Sequence, residues 1–175
     1  MGLWMPLSRA HGKTPREPWQ YGDMALKEVK KWINFRHRLV PYLYHAACQS
    51  HQSGIPMIRP LVMEYPKDPI AKIQNLSYML GDALLISPGF DRDEYELYLP
   101  ESRWQDIESK EVYEGMTFVH IENKAFADGG TSLRVFQKEG TSIPLFAQKE
   151  VLHVPAQLWK QEDLEFMTFQ KKDVD

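Results

Sequence analysis

From residue 23 to residue 52 apolar side chains recur at every third or fourth position, and beyond residue 83 they recur at every second one. The first spacing matches the 3.6-residue turn of a helix and the second the two-residue pleat of a strand. A chain that changes period once, near its middle, belongs to the α+β class. Its helical and extended parts are consecutive and do not alternate.

The helical stretch carries Leu26, Val29, Trp32, Ile33, Arg36, Leu39, Val40, Leu43, Ala46 and Ala47 on one stripe. Lys27, Glu28, Lys30, Lys31 and Asn34 fill the opposite face. Asp23 is placed to cap the start, and Gly54 with Pro56 ends the pattern. Pro41 removes one backbone hydrogen bond and predicts a kink. His45, Cys48 and His51 stand three apart, but steps of three drift by about 60° around a helix. They diverge instead of converging on a metal, and no HExxH pattern accompanies them. The spacing therefore predicts no metal site and no cofactor.

Ahead of the helix lies an apolar run, Leu3-Trp4-Met5-Pro6-Leu7, short enough for a buried strand. A polar loop follows, Ser8-Arg9-Ala10-His11-Gly12, then Lys13-Thr14-Pro15-Arg16-Glu17-Pro18-Trp19. In strand–loop–helix units, ligands bind at loops beyond the carboxyl end of the strand. Arg9 and His11 can donate hydrogen bonds to a polar substrate there, and Gly12 allows a sharp turn. The alternative is structural: Arg9 paired with a carboxylate and His11 bonded to a loop carbonyl.

Residues 56–66 hold prolines at 56, 60 and 66, which keep the backbone extended but unlike a central strand. Ala83-Leu84-Leu85-Ile86 is a candidate buried strand. Residues 95–99, 103–107, 117–121, 132–136, 143–146, 151–154 and 164–169 follow as short strands. Turns at Glu114-Gly115, Asp128-Gly129-Gly130, Glu139-Gly140 and Pro155 separate them. This spacing predicts an antiparallel sandwich. Asp91-Arg92-Asp93-Glu94 lacks the glycine and distal glutamate of a calcium loop and reads as a turn.

At 175 residues the chain can bury roughly 70% of its unfolded surface. A net charge of −3 gives no electrostatic case for nucleic acid or an anionic membrane, and no apolar run approaches the ~18 residues of a span. Cys48 is the sole cysteine, which excludes an intrachain disulfide and predicts a cytoplasmic home. Asn75-Leu76-Ser77 is a glycosylation sequon that such a location leaves unused.

Several motifs taken together resemble glycoside hydrolase family 31. They are Pro6-Leu7-Ser8-Arg9-Ala10-His11-Gly12, Thr14-Pro15-Arg16-Glu17-Pro18-Trp19, Leu39-Val40-Pro41-Tyr42-Leu43-Tyr44 and Met57-Ile58-Arg59-Pro60-Leu61. Tyr78-Met79-Leu80-Gly81-Asp82-Ala83-Leu84-Leu85, Tyr98-Leu99-Pro100 followed by Trp104, and Gly140-Thr141-Ser142-Ile143-Pro144-Leu145 continue the series in the family's order. The likeness fades after about residue 155.

The resemblance implies an α-glucosidase or α-xylosidase with a (β/α)8 barrel followed by a β-sandwich. A whole barrel needs ~250 residues and eight strand–helix units, and one unit is legible here. Residues 3–9 would be the eighth strand and 23–52 the eighth helix. The division would fall at residue 82, with 1–82 the barrel's end and 83–175 the sandwich. Arg9 and His11 would sit in the −1 sugar subsite. The nucleophile and acid/base aspartates of this retaining family would lie upstream of Met1, as expected for a split or truncated gene.

Three consequences follow for partners. The substrate is an α-linked oligosaccharide or glycoside. The upstream part of the barrel is a partner. Without it, the unpaired strand and the apolar stripe favour self-association, since each exposed apolar side chain forgoes about 1.5–3 kcal/mol. A stand-alone carbohydrate-binding or interaction sandwich is the alternative, with Tyr98, Trp104 and Trp159 as candidate sugar-stacking rings, although ordinary core packing is the better account of each.

Overall fold

Pro41 divides the helical stretch in two. In the computed structural model, which describes residues 2–89, 94–122, 133–147 and 159–171, helix α1 spans Asp23–Arg38 and helix α2 spans Val40–Ser53. Proline lacks the N–H for the i→i−4 bond and its ring crowds the carbonyl one turn back, so it is accommodated only in a helix's first turn. The expected single kinked helix is therefore two helices meeting at Leu39. Leu39 N–H bonds the carbonyls of Phe35 and Arg36. Gly22, not Asp23, holds the cap position; Asp23 is the first helical residue, where its charge favours the helix dipole. Gly54 ends α2 in the left-handed conformation (φ 73°) expected of a terminal glycine.

Residues 3–9 do not form a strand. Gly2–Trp4 is a single 3-10 turn, the segment beyond it is irregular, and Leu7 is 92% exposed. A barrel strand is stabilised by pairing on both edges, and no described strand pairs with this segment. Trp4 is buried instead beneath α1, with its ring 5.4 Å from Trp32 and 5.8 Å from Phe35. Arg36, on the apolar stripe, donates to the carbonyls of Leu3 (2.8 Å) and Pro6 (2.9 Å).

Strands β1 (Ile58–Pro60), β2 (Tyr78–Leu80), β3 (Leu84–Ser87), β5 (Arg103–Asp106), β6 (Val112–Glu114) and β8 (Arg134–Lys138) make one antiparallel sheet in the order β1-β2-β3-β8-β5-β6. Proline-bearing β1 lies at the sheet edge, where its lost donor is harmless. A short helix, α3 (Leu61–Glu64), follows it. Strands β4 (Glu94–Leu99) and β7 (Thr117–Glu122) form a second antiparallel pair, and β9 (Thr141–Phe146) with β10 (Leu164–Phe169) a third. The expected turn at 91–93, the glycine turn at 128–130, the strand at 151–154 and Pro155 lie outside the described residues.

Both faces of the six-stranded sheet are covered. Tyr78, Leu80, Leu84, Ile86 and Val135 face a core shared with Trp4, Trp32, Leu39 and Tyr42. Met79, Leu85 and Phe136 face the opposite core, with Leu97, Leu99 and Trp104. This explains why β2 and β3 read as unbroken apolar runs whereas β4 alternates. The helices rest on the sandwich through directed bonds. Arg38 donates to the Phe146 carbonyl (2.9 Å) and pairs with Glu165, and Lys31 pairs with Glu108 at 2.7 Å. Strands β1 and β2 precede residue 82 yet belong to the same sheet as β3.

On the outer face of β4–β7, His120 stands opposite Glu96 and accepts or donates at 2.8 Å through Nδ1. Glu94 approaches its Nε2 at 3.6 Å. The hydrogen bond to Glu96 raises the His120 pKa above its ordinary 6.5. The folded state thus holds the proton more tightly than the unfolded chain. The resulting stabilisation is present below the unfolded pKa and is lost as pH rises through the raised one. An NMR titration of the ring should give a midpoint above 6.5 that falls in Glu96→Gln. A midpoint indifferent to that substitution would mean the bond is absent in solution.

Candidate functional site

The loop carrying Arg9 and His11 is tied down at its first end and runs into α1 at its second. On one side Trp4 is buried and Arg36 grips the carbonyls of Leu3 and Pro6. On the other, a 3-10 turn over Pro18–Tyr21 leads into α1. Between these two ends residues 6–17 are exposed. The arginine and histidine therefore sit on an exposed segment just beyond the anchor at Pro6.

His11 lines a recess of about 150 Å³ together with Ala10, Gly12, Thr14, Arg16 and Glu17. Arg9 lies outside that lining, so the recess unites His11 with Arg16 and not with Arg9. Neither Arg9 nor His11 makes a hydrogen bond or ion pair among the described residues. The structural alternative, with Arg9 on a carboxylate and His11 on a loop carbonyl, is thus not what the fold adopts. Both groups keep their full capacity to donate to a ligand. In the flanking sequence the apolar side chains of Leu7, Trp19, Tyr21 and Met24 are exposed.

The rings that a stand-alone carbohydrate-binding sandwich would use for stacking are packed against the protein instead. Tyr98 is 1% exposed and donates through its hydroxyl to Asp68 at 2.6 Å. Trp104 is wholly buried and donates through Nε1 to the Pro100 carbonyl at 2.9 Å. Trp159 is half-buried, with its ring edge-on to Phe146 at 5.0 Å and to Tyr44 at 5.5 Å. Large rings in a small sandwich are recruited to its core, because each removes more apolar area from water than an aliphatic side chain.

One polar constellation escaped the sequence reading. Arg59, on β1, is 7% exposed. It donates to Asp82 Oδ1 at 2.6 Å and to the Gly81 carbonyl at 2.8 Å, and it lies 2.9 Å from Glu64. Arg59 and Asp82 each stand in a motif of the sequence, Met57–Leu61 and Tyr78–Leu85, but nothing in either motif announces that the two meet. Among the described residues no group of three or more His, Cys, Asp or Glu is arranged to hold a metal.

Residues 1–46 match the glycosyl hydrolases family 31 TIM-barrel domain, and residues 54–150 match the glycosyl hydrolase family 31 C-terminal domain. Neutral alpha-glucosidase AB from Mus musculus is 33% identical over 151 residues, covering 82% of this chain and 16% of the mouse protein. Alpha-xylosidase from Saccharolobus solfataricus is 31% identical over 147 residues, covering 82% of this chain and 19% of that one. Among solved structures, the Flavobacterium johnsoniae GH31 dextranase complexed with glucose superposes with a TM-score of 0.74 at 34% identity, over 83% of this chain and 18% of its own. The cycloalternan-forming enzyme from Listeria monocytogenes, in complex with a pentasaccharide substrate, gives 0.77 at 31% identity, over 97% and 17%. The chain thus spans under a fifth of the length of each of these relatives. With the C-terminal-domain match covering more than half of its residues and the barrel match preceding it in order, the chain belongs to glycosyl hydrolase family 31.

Proposed function

We propose that this chain is the C-terminal part of a retaining α-glycosidase that hydrolyses α-linked glucosides or xylosides. In this reading the loop at Arg9 and His11 contributes to the −1 sugar subsite, and both catalytic aspartates are supplied by the upstream barrel. The carrying observation is an anchored, exposed Arg9–His11 loop within the stretch that matches the family's TIM-barrel domain. Arginine and histidine donors orient sugar hydroxyls and favour developing charge, but they do not replace two carboxylates. Relatives named as alpha-glucosidase, alpha-xylosidase and dextranase support an α-linked substrate.

The division between the barrel's end and the sandwich is better drawn near Gly54 than at residue 82. Strands β1 and β2 already belong to the sandwich sheet, and the two domain matches leave a gap between residues 46 and 54. The sole cysteine supports a reducing, cytoplasmic location, which cell fractionation finding the native chain elsewhere would reject. Leu7, Trp19, Tyr21 and Met24 form the surface that the upstream barrel covers, and uncovered they drive self-association.

The test is reassembly. An upstream family 31 barrel segment supplied in trans should bind the chain, convert self-associated particles to a defined complex by light scattering, and restore hydrolysis of an aryl α-glycoside. In that complex His11→Ala should lower kcat/KM by about 5- to 150-fold, the worth of a hydrogen bond in a dry site, without lowering the melting temperature. Activity within twofold and a sharply lower melting temperature would make His11 a structural residue.

A further inference from the structure

A polar groove runs between α2 and the sandwich. Tyr42, His45 and Gln49 share one face of α2, because helical spacing stacks positions three and four apart. Opposite them stand Ser142 and Pro144 of β9, and Asp82 of the β2–β3 turn completes the lining. The groove encloses about 380 Å³. A second recess of about 260 Å³ shares Gln49 and Asp82 with it, and its lining adds Ser50, Ser53, Met57 and Arg59. The two recesses therefore lie on either side of a Gln49–Asp82 crosspiece.

The chemistry of that crosspiece is selective. Asp82 Oδ1 is held by Arg59 at 2.6 Å, while Oδ2 has only a long 3.4 Å contact with Gln49 Nε2. Asp82 is 62% exposed, so Oδ2 keeps acceptor capacity toward the groove. The Gln49 amide retains its oxygen and a second N–H, and the exposed His45 ring makes no hydrogen bond among the described residues. An anionic ligand is disfavoured by Asp82 and Glu64, which together outweigh the single Arg59 charge. Among the described residues a metal ion finds no ligand set here. A neutral molecule whose hydroxyls both donate and accept matches every unspent group.

The geometry points to a carbohydrate-binding groove that takes a neutral α-linked oligosaccharide across the Gln49–Asp82 crosspiece, with one sugar ring in each recess. The identity of the ligand as an α-linked sugar rests on the α-glycosidase reading above. Because both recesses must be filled, a trisaccharide binds more tightly than a single sugar.

The experiment is an amide-shift NMR titration of the 175-residue chain, held at a dilution where light scattering shows a monomer, with maltotriose and, separately, with glucose. Maltotriose should give saturable shifts at residues 45–50, 81–83 and 141–144, with at least about tenfold tighter binding than glucose. Gln49→Ala should weaken it about fivefold or more, and Ser142→Trp, which places bulk in the groove, should abolish it. His45→Ala, at an exposed position, provides a second weakened variant if Ser142→Trp does not fold. Absence of saturable shifts, equal affinity for the two sugars, or binding indifferent to Gln49→Ala and His45→Ala would each overturn the groove. Shifts confined to residues 9–17 would also overturn it while leaving the α-glycosidase reading intact. Failure of hydrolysis in the reassembled enzyme would instead strike that reading and the argument from it for an α-linked sugar, whereas saturable maltotriose binding at residues 45–50 and 81–83 would leave the groove standing.

Discussion

Mixed with an aryl α-glucoside or α-xyloside, the purified 175-residue chain releases sugar no faster than buffer does. Retaining hydrolysis needs one carboxylate to attack the anomeric carbon and a second, about 5–5.5 Å away, to protonate the leaving oxygen. The recess beside His11 offers one carboxylate, Glu17, in no motif for either role. Binding groups that hold substrate and transition state alike do not raise the rate of bond cleavage. The expected deficit relative to an intact enzyme is therefore at least about 10⁶-fold. Turnover by pure chain that disappears in His11→Ala would overturn this expectation.

The second large effect is on stability. Gly81→Ala should lower it by about 3–6 kcal/mol, a large share of the ~5–15 kcal/mol of a typical domain. Gly81 adopts φ +59°, and an added Cβ would stand 2.3 Å from Tyr42 Oη and 2.9 Å from Cζ. Tyr42 cannot move aside cheaply. Its ring is 5% exposed, and its hydroxyl donates to the Leu80 carbonyl at 2.6 Å while accepting from Ala83 N–H at 3.0 Å. Burial pushes its pKa up, so it stays a neutral phenol with a proton to donate. Tyr42→Phe removes the clashing oxygen, so the double variant should lose less than the two single losses added together. Denaturant melts that place Gly81→Ala within about 1 kcal/mol of the parent would show that α2 is not pinned to the β2–β3 turn in this way.

Much of this fold was legible where one local signal acted alone. The stripe through Trp32, Leu39 and Ala46 gave the helices, and the alternation through Tyr95, Leu97 and Leu99 gave β4. Structure departs from local pattern where two signals compete. The run from Leu3 to Leu7 has strand-like composition, but it meets no pairing edge, and Trp4 gains more beneath α1. Val112–Glu114 is too short and too exposed to announce itself as β6. At the candidate site, the Arg9–His11 motif is contiguous and readable. Arg59 and Asp82 are brought together by the β1–β2 pairing, a relation no local window contains.

The burial of Trp4 also fixes an order of events. The core that receives this residue includes Val135 of β8 and Ile143 and Leu145 of β9, which leave the ribosome long after it does. Strand β3 likewise waits for β8 before its second edge is paired. Pairings this distant in the chain close slowly, since loop entropy is lost before any contact offsets it. During synthesis the loop bearing Arg9 and His11 is therefore made before the sandwich and fastened after it. Its geometry is set only when nearly the whole sandwich has emerged and folded.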